Sequence, residues 1–564
     1  MKYFPSLIFN YLSNRSSRRH LNVLGQFLLL LFGMVAVYSA MFHYLMAWEG
    51  REYSWITGVY WTLTVMSTLG FGDITFRTDL GLVFSIVVLL SGTIFMLVLL
   101  PFTFIQFFYT PWMEAQEAAR APRQLPAATT GHIVLTQLGP VDAALIKKLS
   151  QYQYPYAVLV PEVSQALKLH DMGFNAVVGD LDDPETYRRL QIDQAALVAS
   201  TQSDVVNTNV AFTVREVSAE VPIVATAANV ASVDILELAG CTRVLQLAEM
   251  MGKALSRRVI GQDAKTHVIG QFDGLLIAEA GVSGTPLVGR SLKDIGLRDH
   301  VNISVAGVWE RGRFEAAAAD TMITPNTVLV LAGTRAQLDE YDAVFCIYRS
   351  SEQPVIILGG GRVGTATAGG LQNQGVDFRV VEKSAERVTG DERWILGDAA
   401  DLETLKKAGI MESPSVVITT HDDDVNVYLT LYCRRLRDDI QIISRSTLER
   451  NIDTLHRAGA DFVISEASMG ANAIFNLLHR SGVLLLAEGL DVFKVPVPAS
   501  LAGKTLVDSS LRIETGCSVI AIDSNNATQI NPHPGTTLRP DAKIVLIGSV
   551  ESERRFLNRF VNRT

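Results

Sequence analysis

The sequence predicts an α-helical membrane domain with two spans, followed by two α/β, Rossmann-like domains that each carry a small α/β C-terminal lobe. Three observations predict it. Two uncharged apolar runs, residues 21–46 and 80–113, flank a short glycine-rich stretch. The remainder of the 564-residue chain repeats itself once. Within each repeat, short apolar strands alternate with helical stretches, the signature of a parallel, doubly wound sheet.

Composition fits this division. A hydrophobic content of 48% beside 19% charged residues, with mean hydropathy +0.22, suits a short membrane part on a large soluble part. The net charge of −9 argues against nucleic acid as a partner. Four cysteines, Cys241, Cys346, Cys433 and Cys517, form no CxxC pair and lie in the soluble part. Reduced cytosolic thiols are expected, not a disulfide framework or zinc site.

Each apolar run is long enough for a helix to cross a hydrocarbon core of about 30 Å. The first is too long for a cleaved signal peptide and ends without a small-residue cleavage site. Arg15, Arg18 and Arg19 precede it, which places the N-terminus in the cytoplasm. Two crossings return the chain there, so the soluble part is cytoplasmic.

Between the runs lies EYSWITGVYWTLTVMSTLGFGDITFRTD. Its first half is a helical stretch too short to span, and reads as a re-entrant half-helix. Non-helical backbone at this depth is tolerated only where protein buries it or it lines a water-filled path. Carbonyls can all face one axis if alternate residues adopt unusual dihedrals, which glycine does without steric cost. Such a carbonyl ring replaces the hydration shell of a potassium ion. Thr68-Leu69-Gly70-Phe71-Gly72-Asp73 resembles the potassium-channel signature TVGYGD, with Leu for Val and Phe for Tyr. Both replacements keep the carbonyls, but Phe71 lacks the hydroxyl that ties the filter to its half-helix. A plain glycine turn in a membrane loop is the competing reading. One chain supplies a quarter of the ring, so the resemblance implies a homotetramer in a lipid bilayer. Gly92 falls where related channels have a gating hinge, although close helix packing asks for the same residue. Pro101, further along, removes one backbone hydrogen bond and favours a bend.

Residues 114–130 are rich in Ala, Pro and charge and read as a linker. Beyond them, ASTQSDVVNTNVA parallels TTHDDDVNVYLTL, placing Thr201, Asp204 and Asn207 opposite Thr420, Asp423 and Asn426. LVGRSL parallels LAGKTL, and ITPNTVLVLAG parallels LRPDAKIVLIG. A repeat of about 200 residues is a duplicated domain, not a solenoid unit. The pattern resembles the RCK (KTN) domain that regulates potassium transport. The whole layout is similar to ligand-gated potassium channels of the MthK type, in the tandem, multi-ligand-gated GsuK form. Expected boundaries are a pore domain at 1–113, the linker at 114–130, and a first RCK domain at 131–258 with its C-lobe at 259–348. The second RCK domain is expected at 349–484, with its C-lobe at 485–564.

The two copies differ. VIILGGGRVGTATAGGL in the second follows a strand and opens a helix, with Gly359, Gly361 and Gly364 as GxGxxG and Glu382 ending the next strand. The glycines allow a tight turn and close approach of a pyrophosphate to the helix N-terminus, and the acid can accept from ribose hydroxyls. An acid there favours NAD over NADP. Arg362, Val363, Lys383, Asp398, Ala399 and Thr420 complete the expected nucleotide site. An empty Rossmann scaffold is the alternative. In the first copy, Gly139 stands alone with Pro140 and Asp142 nearby, so a structural role is expected. The resemblance also implies calcium as a possible regulator. The acids expected at a middle strand are missing from IVATAANV and IISRSTLER. Asp180, Asp182 and Asp183 offer oxygen ligands, or simply a solvated face.

The expected function is a potassium-selective channel in the cell membrane, not an enzyme, with K+ as permeant ion and cytosolic NAD(H) or ADP as regulatory ligand. The alternatives are a regulatory membrane subunit of a potassium transporter and a membrane-tethered NAD-dependent oxidoreductase. Against the latter, the second copy shows no His with acid or Lys constellation beyond His421.

Overall fold

A computed structural model describes residues 15–110, 112–113, 116, 121–259, 266–272, 274–282, 285–310, 313–325, 327–345, 353–388, 390–478, 483–485, 490–524 and 527–561. Cys346 and part of the 114–130 linker lie outside them. The chain divides into two compact units, Met1–Pro122 with Glu162–Gly173, and Arg123–Pro161 with Phe174–Thr564.

In the first unit, the helical segments Gly25–Trp48 and Asp79–Phe107 are long and apolar enough to cross a membrane. Between them the helix Trp55–Met66 is 12 residues long, too short to span. Ser54 caps it by accepting from the Thr57 N–H at 3.3 Å. Phe42, Trp61, Phe76 and Phe84 pack ring on ring and tie the three helices together. On either side of Pro101 the helix widens into π-helical turns, Thr93–Leu99 and Ile105–Tyr109. A residue without an N–H interrupts the hydrogen-bond ladder there.

In the second unit, strands β1 (Ile133–Leu135), β2 (Tyr156–Val160), β3 (Ala176–Val178), β4 (Leu197–Ser200), β5 (Ile223–Thr226) and β6 (Arg243–Leu245) form a parallel sheet ordered β3-β2-β1-β4-β5-β6. An antiparallel lobe follows, with β7 (His267–Phe272), β8 (Leu275–Gly281), β9 (Ser304–Glu310), β10 (Arg313–Ala316) and β11 (Val328–Gly333). The second copy repeats both. Its parallel sheet contains β12 (Val355–Leu358), β13 (Phe378–Glu382), β14 (Trp394–Leu396), β15 (Ser415–Ile418), β16 (Gln441–Ser446) and β17 (Phe462–Ser465), ordered β14-β13-β12-β15-β16-β17. Its lobe contains β18 (Val483–Leu485), β19 (Leu490–Pro496), β20 (Ser518–Ser524), β21 (Ala527–Ile530) and β22 (Lys543–Ser549). Strand order reverses beside β1 and β12, the point at which doubly wound folds bind ligands.

The copies are fused by exchanged helices. Leu247–Ser256 of the first lies on Arg362–Asn373 of the second, and Met251 and Leu255 complete the core around Ile357, Val363 and Leu371. Reciprocally, Glu466–Phe475 packs on Pro140–Gln151. Glycines set the spacing: a Cβ on Gly252 would lie 2.4 Å from the Ala366 Cβ, and one on Gly470 2.9 Å from Val141. The two C-lobes share a core through Ile277, Trp309, Val492 and Val545.

The trio repeated between copies holds this scaffold. Asn207 donates to the carbonyls of Gln202 and Thr226, and Asn426 to those of Thr420 and Arg445. Asp204 accepts from the backbone of 228–229, and Asp423 from that of 447–448. Each pair fastens the loop after one strand to the next.

Gly252→Ala is expected to destabilise the full-length protein by about 1–3 kcal/mol, the usual cost of overpacking, because backbone of Ala366 and Thr367 blocks the new methyl. Gly369→Ala, on a helix with nothing within 4 Å, should instead be neutral or stabilising by up to about 1 kcal/mol. Thermal unfolding of the two nucleotide-free variants checks both signs.

Candidate functional site

The glycine-rich stretch departs from ordinary strand and helix dihedrals at alternate residues. Thr68, Gly70 and Gly72 have φ of 63°, 44° and 75°. The sequence pointed to the glycines; the left-handed Thr68 adds a third position. Such φ costs a non-glycine residue about 1–3 kcal/mol. Leu69 and Phe71, between them, are 63% and 66% exposed in a single chain, leaving apolar surface for neighbours to cover. Phe71 has no hydroxyl to anchor it, but its ring lies parallel to Tyr60 at 6.4 Å. The Tyr60 hydroxyl donates to Asp73 at 3.2 Å, and the Trp61 indole N–H donates to the Ile74 carbonyl at 3.1 Å. The half-helix therefore holds the far end of the stretch.

Gly92 stands where the α-helical turns give way to π-helical ones. A Cβ there would lie 2.3 Å from the Met66 Cα. The position is a close contact with the end of the half-helix, which by itself requires glycine, whatever hinge motion it also permits.

In the second copy, Gly359 (φ 107°) turns the chain out of β12. A Cβ on Gly364 would lie 1.8 Å from the Gly359 carbonyl oxygen, so only glycine closes this turn. Gly361 caps the helix Arg362–Asn373, and nothing lies within 4 Å of where its Cβ would be. Its missing side chain faces an open cleft of about 1830 Å³. Gly359, Gly361, Arg362, Val363, Glu382, Lys383, Asp398, Ala399 and Thr420 all line that cleft, while Gly364 lies behind it.

Several of these side chains are already engaged. Glu382 is buried and accepts from the Gly360 N–H at 2.6 Å and the Ser384 N–H at 2.8 Å. It braces the glycine turn, leaving one lone pair on each oxygen for a ligand hydroxyl. The Thr420 hydroxyl donates to Asn426 at 2.6 Å. The outer wall was not legible in the sequence, because the first copy supplies it. Asn229, Lys253 and Arg257 line the same cleft, and Arg362 donates to the Ala228 carbonyl at 3.2 Å.

The first copy closes the equivalent place with its own acid. Asp142 occupies the third helical position after the capping glycine, which Gly364 occupies in the second copy. Fully buried, it accepts from the Gly139 N–H at 2.9 Å and the Thr201 hydroxyl at 2.7 Å. Burial pushes its carboxyl up from the ordinary range. A carboxylate at a helix N-terminus sits where a phosphate would bind, and the cleft left is about 250 Å³.

The calcium candidates do not converge. Asp183 caps the helix Pro184–Arg189 by accepting from the Glu185 N–H at 3.0 Å. Among the described residues, no group of three or more His, Cys, Asp or Glu could hold a metal. The run Asp180, Asp182, Asp183 thus reads as a helix start and a solvated face.

The comparisons accord with this arrangement. The TrkA-N domain matches residues 133–247 and 355–466, the TrkA-C domain 278–345 and 492–561, and the Ion channel family 27–109. A solved structure, "GsuK channel bound to NAD", is 37% identical, covering 96% of this chain and 99% of that one with a TM-score of 0.58. The chain belongs to the RCK-domain potassium channels. It is a membrane protein, a potassium channel with an RCK gating ring. The crystal structure of the GsuK RCK domain is 36% identical over 79% of this chain and 99% of that one, TM-score 0.57. Potassium channel protein 1 of Methanocaldococcus jannaschii is 27% identical over 220 residues, 36% of this chain and 66% of that protein.

Replacing Gly70 or Gly72 by Ala should abolish potassium flux or its selectivity over sodium, at about 1–3 kcal/mol of strain per site repeated around the ring. Gly92→Ala should disturb selectivity too, since the methyl presses on Met66, whereas loss of a hinge alone would change opening and leave selectivity intact. Ion-replacement recordings separate the outcomes.

Proposed function

We propose that the chain assembles as a homotetramer whose potassium-selective pore is opened or closed by NAD(H) or ADP bound in the second RCK domain. Thr68 to Asp73 form the filter. The N-terminus and the RCK domains face the cytoplasm, and the domain boundaries follow those expected from the sequence. The observation that carries the nucleotide reading is Gly361, a capping glycine whose side-chain position is empty of protein and opens onto a helix N-terminus. A 37% identical channel solved bound to NAD supports it.

Oligomerisation has independent support in the second unit. The equivalent helices Asp204–Val217 and Asp423–Leu436 each leave apolar side chains exposed, Val205 and Phe212 on one, Val425, Tyr428 and Leu431 on the other. Further copies in a ring would cover them.

Nucleotide can shift gating only through different affinities for open and closed rings, ordinarily a change of about 5–150-fold. Gly361→Asp should push a carboxylate against the pyrophosphate and abolish both nucleotide binding and the flux response, while the pore stays potassium-selective. Glu382→Ala should weaken binding, through loss of the ribose contact and of the brace on Gly360. Gly139→Asp, in the first copy, should leave the response nearly intact. Calorimetry and liposome flux on the same preparations test this, and an unchanged nucleotide sensitivity in Gly361→Asp would place the ligand elsewhere.

A further inference from the structure

The two C-lobes share one topology but differ at one buried place. β11 sets Gly333 opposite Leu276 of β8, and β22 sets the equivalent Gly548 opposite Asp491 of β19. Five residues after each of these glycines, the following helix carries Leu338 in the first lobe and Glu553 in the second. A buried leucine pair in one lobe is thus a buried acid pair in the other, with Asp491 and Glu553 each 1% exposed.

The pair lies against the first copy's N-lobe. Tyr152, ending the helix Pro140–Gln151, donates to Glu553 at 2.6 Å, and Gln151 donates at 3.4 Å. The Tyr152 ring packs on Phe475 at 5.0 Å. Asp491 faces Glu553 within hydrogen-bond reach, and apart from that carboxyl neither of its oxygens has a partner. The charge acting on the pair from outside it is Lys148 of the same first-copy helix. Arg555 acts on the neighbouring Cys517, whose thiol burial pushes up to about 12 and so keeps neutral. Two facing carboxyls out of water cannot both ionise at ordinary cost, so they keep a proton between them.

We propose that Asp491, Glu553 and Tyr152 form a proton-operated latch between the first RCK N-lobe and the second RCK C-lobe, through which cytosolic pH biases the gating ring. Holding one proton, the pair accepts the Tyr152 hydroxyl and the lobes dock. Losing it places two negative charges in a buried seam, and the docked arrangement is penalised. The direction follows from linkage. Burial raises both carboxyls, and the facing Asp491 raises Glu553 further, up to about 8. The docked state therefore binds more protons than a hydrated one from the ordinary carboxylate range up to that value, and docking weakens as pH rises through this window. With two carboxyls and, among the described residues, no group of three or more acids, histidines or cysteines to hold a metal, the seam favours a proton over a metal ion. The latch does not depend on the nucleotide reading.

The test uses the full-length channel. Without nucleotide, its melting temperature should fall as pH rises from about 6 to 9, and flux in liposomes should change at least about fivefold over that range, the low end of ordinary coupling. Glu553→Gln and Asp491→Asn should each flatten both dependences. The double variant Asp491→Leu with Glu553→Leu copies the first lobe, so it should fold, melt higher and show no pH slope from this seam. A flat wild-type profile, or variants that keep the wild-type slope, would overturn the proposal. So would a calcium response at fixed pH that Glu553→Gln removes, because the pair would then hold a cation.

Discussion

The soluble part is organised around one electrostatic constraint: a helix N-terminus presents free N–H groups and needs an anion or water. Each RCK domain places such a terminus after its first parallel strand, and the copies satisfy it differently. Asp142 folds a carboxylate back onto the first. Gly364 and Gly361 leave the second open. One residue at the third helical position therefore decides which copy is sealed and which can receive a phosphate, although the two sheets have the same strand order.

The exchanged helices give that difference mechanical reach. Because Leu247–Ser256 of the first copy completes the core of the second, and residues in and beside that helix, Lys253 and Arg257 among them, line the second copy's cleft, a ligand there would touch both copies. A methyl added at Gly252 would stand only 2.4 Å from the Ala366 Cβ, which measures how little slack the seam has. Close-packed seams move between discrete arrangements more readily than they deform, as a gating ring requires.

The backbone pattern was legible because it rests on local rules. Alternating apolar strands, the duplicated trio Thr201, Asp204 and Asn207, and the glycine turn all specify structure within a few residues, and the sheets formed accordingly. The backbone of the glycine-rich stretch was legible for the same reason, since Gly70 and Gly72 supply dihedrals few other residues tolerate. Three features were not. The engagement of Glu382 with Gly360 and Ser384 depends on where two loops meet. The outer cleft wall comes from a different copy of the repeat. The contact between Gly92 and Met66 needs the half-helix in place before it can be seen. The choice between ligands and a solvated face at Asp180, Asp182 and Asp183 was open for a related reason: spacing along a loop does not say which oxygens are spent on capping the next helix.

If one copy seals its helix terminus and the other leaves it open, the full-length chain should bind one nucleotide per polypeptide. Titration calorimetry of the purified channel with NAD or ADP measures this directly. One site per chain is the predicted result; two equivalent sites, or none, would contradict the account.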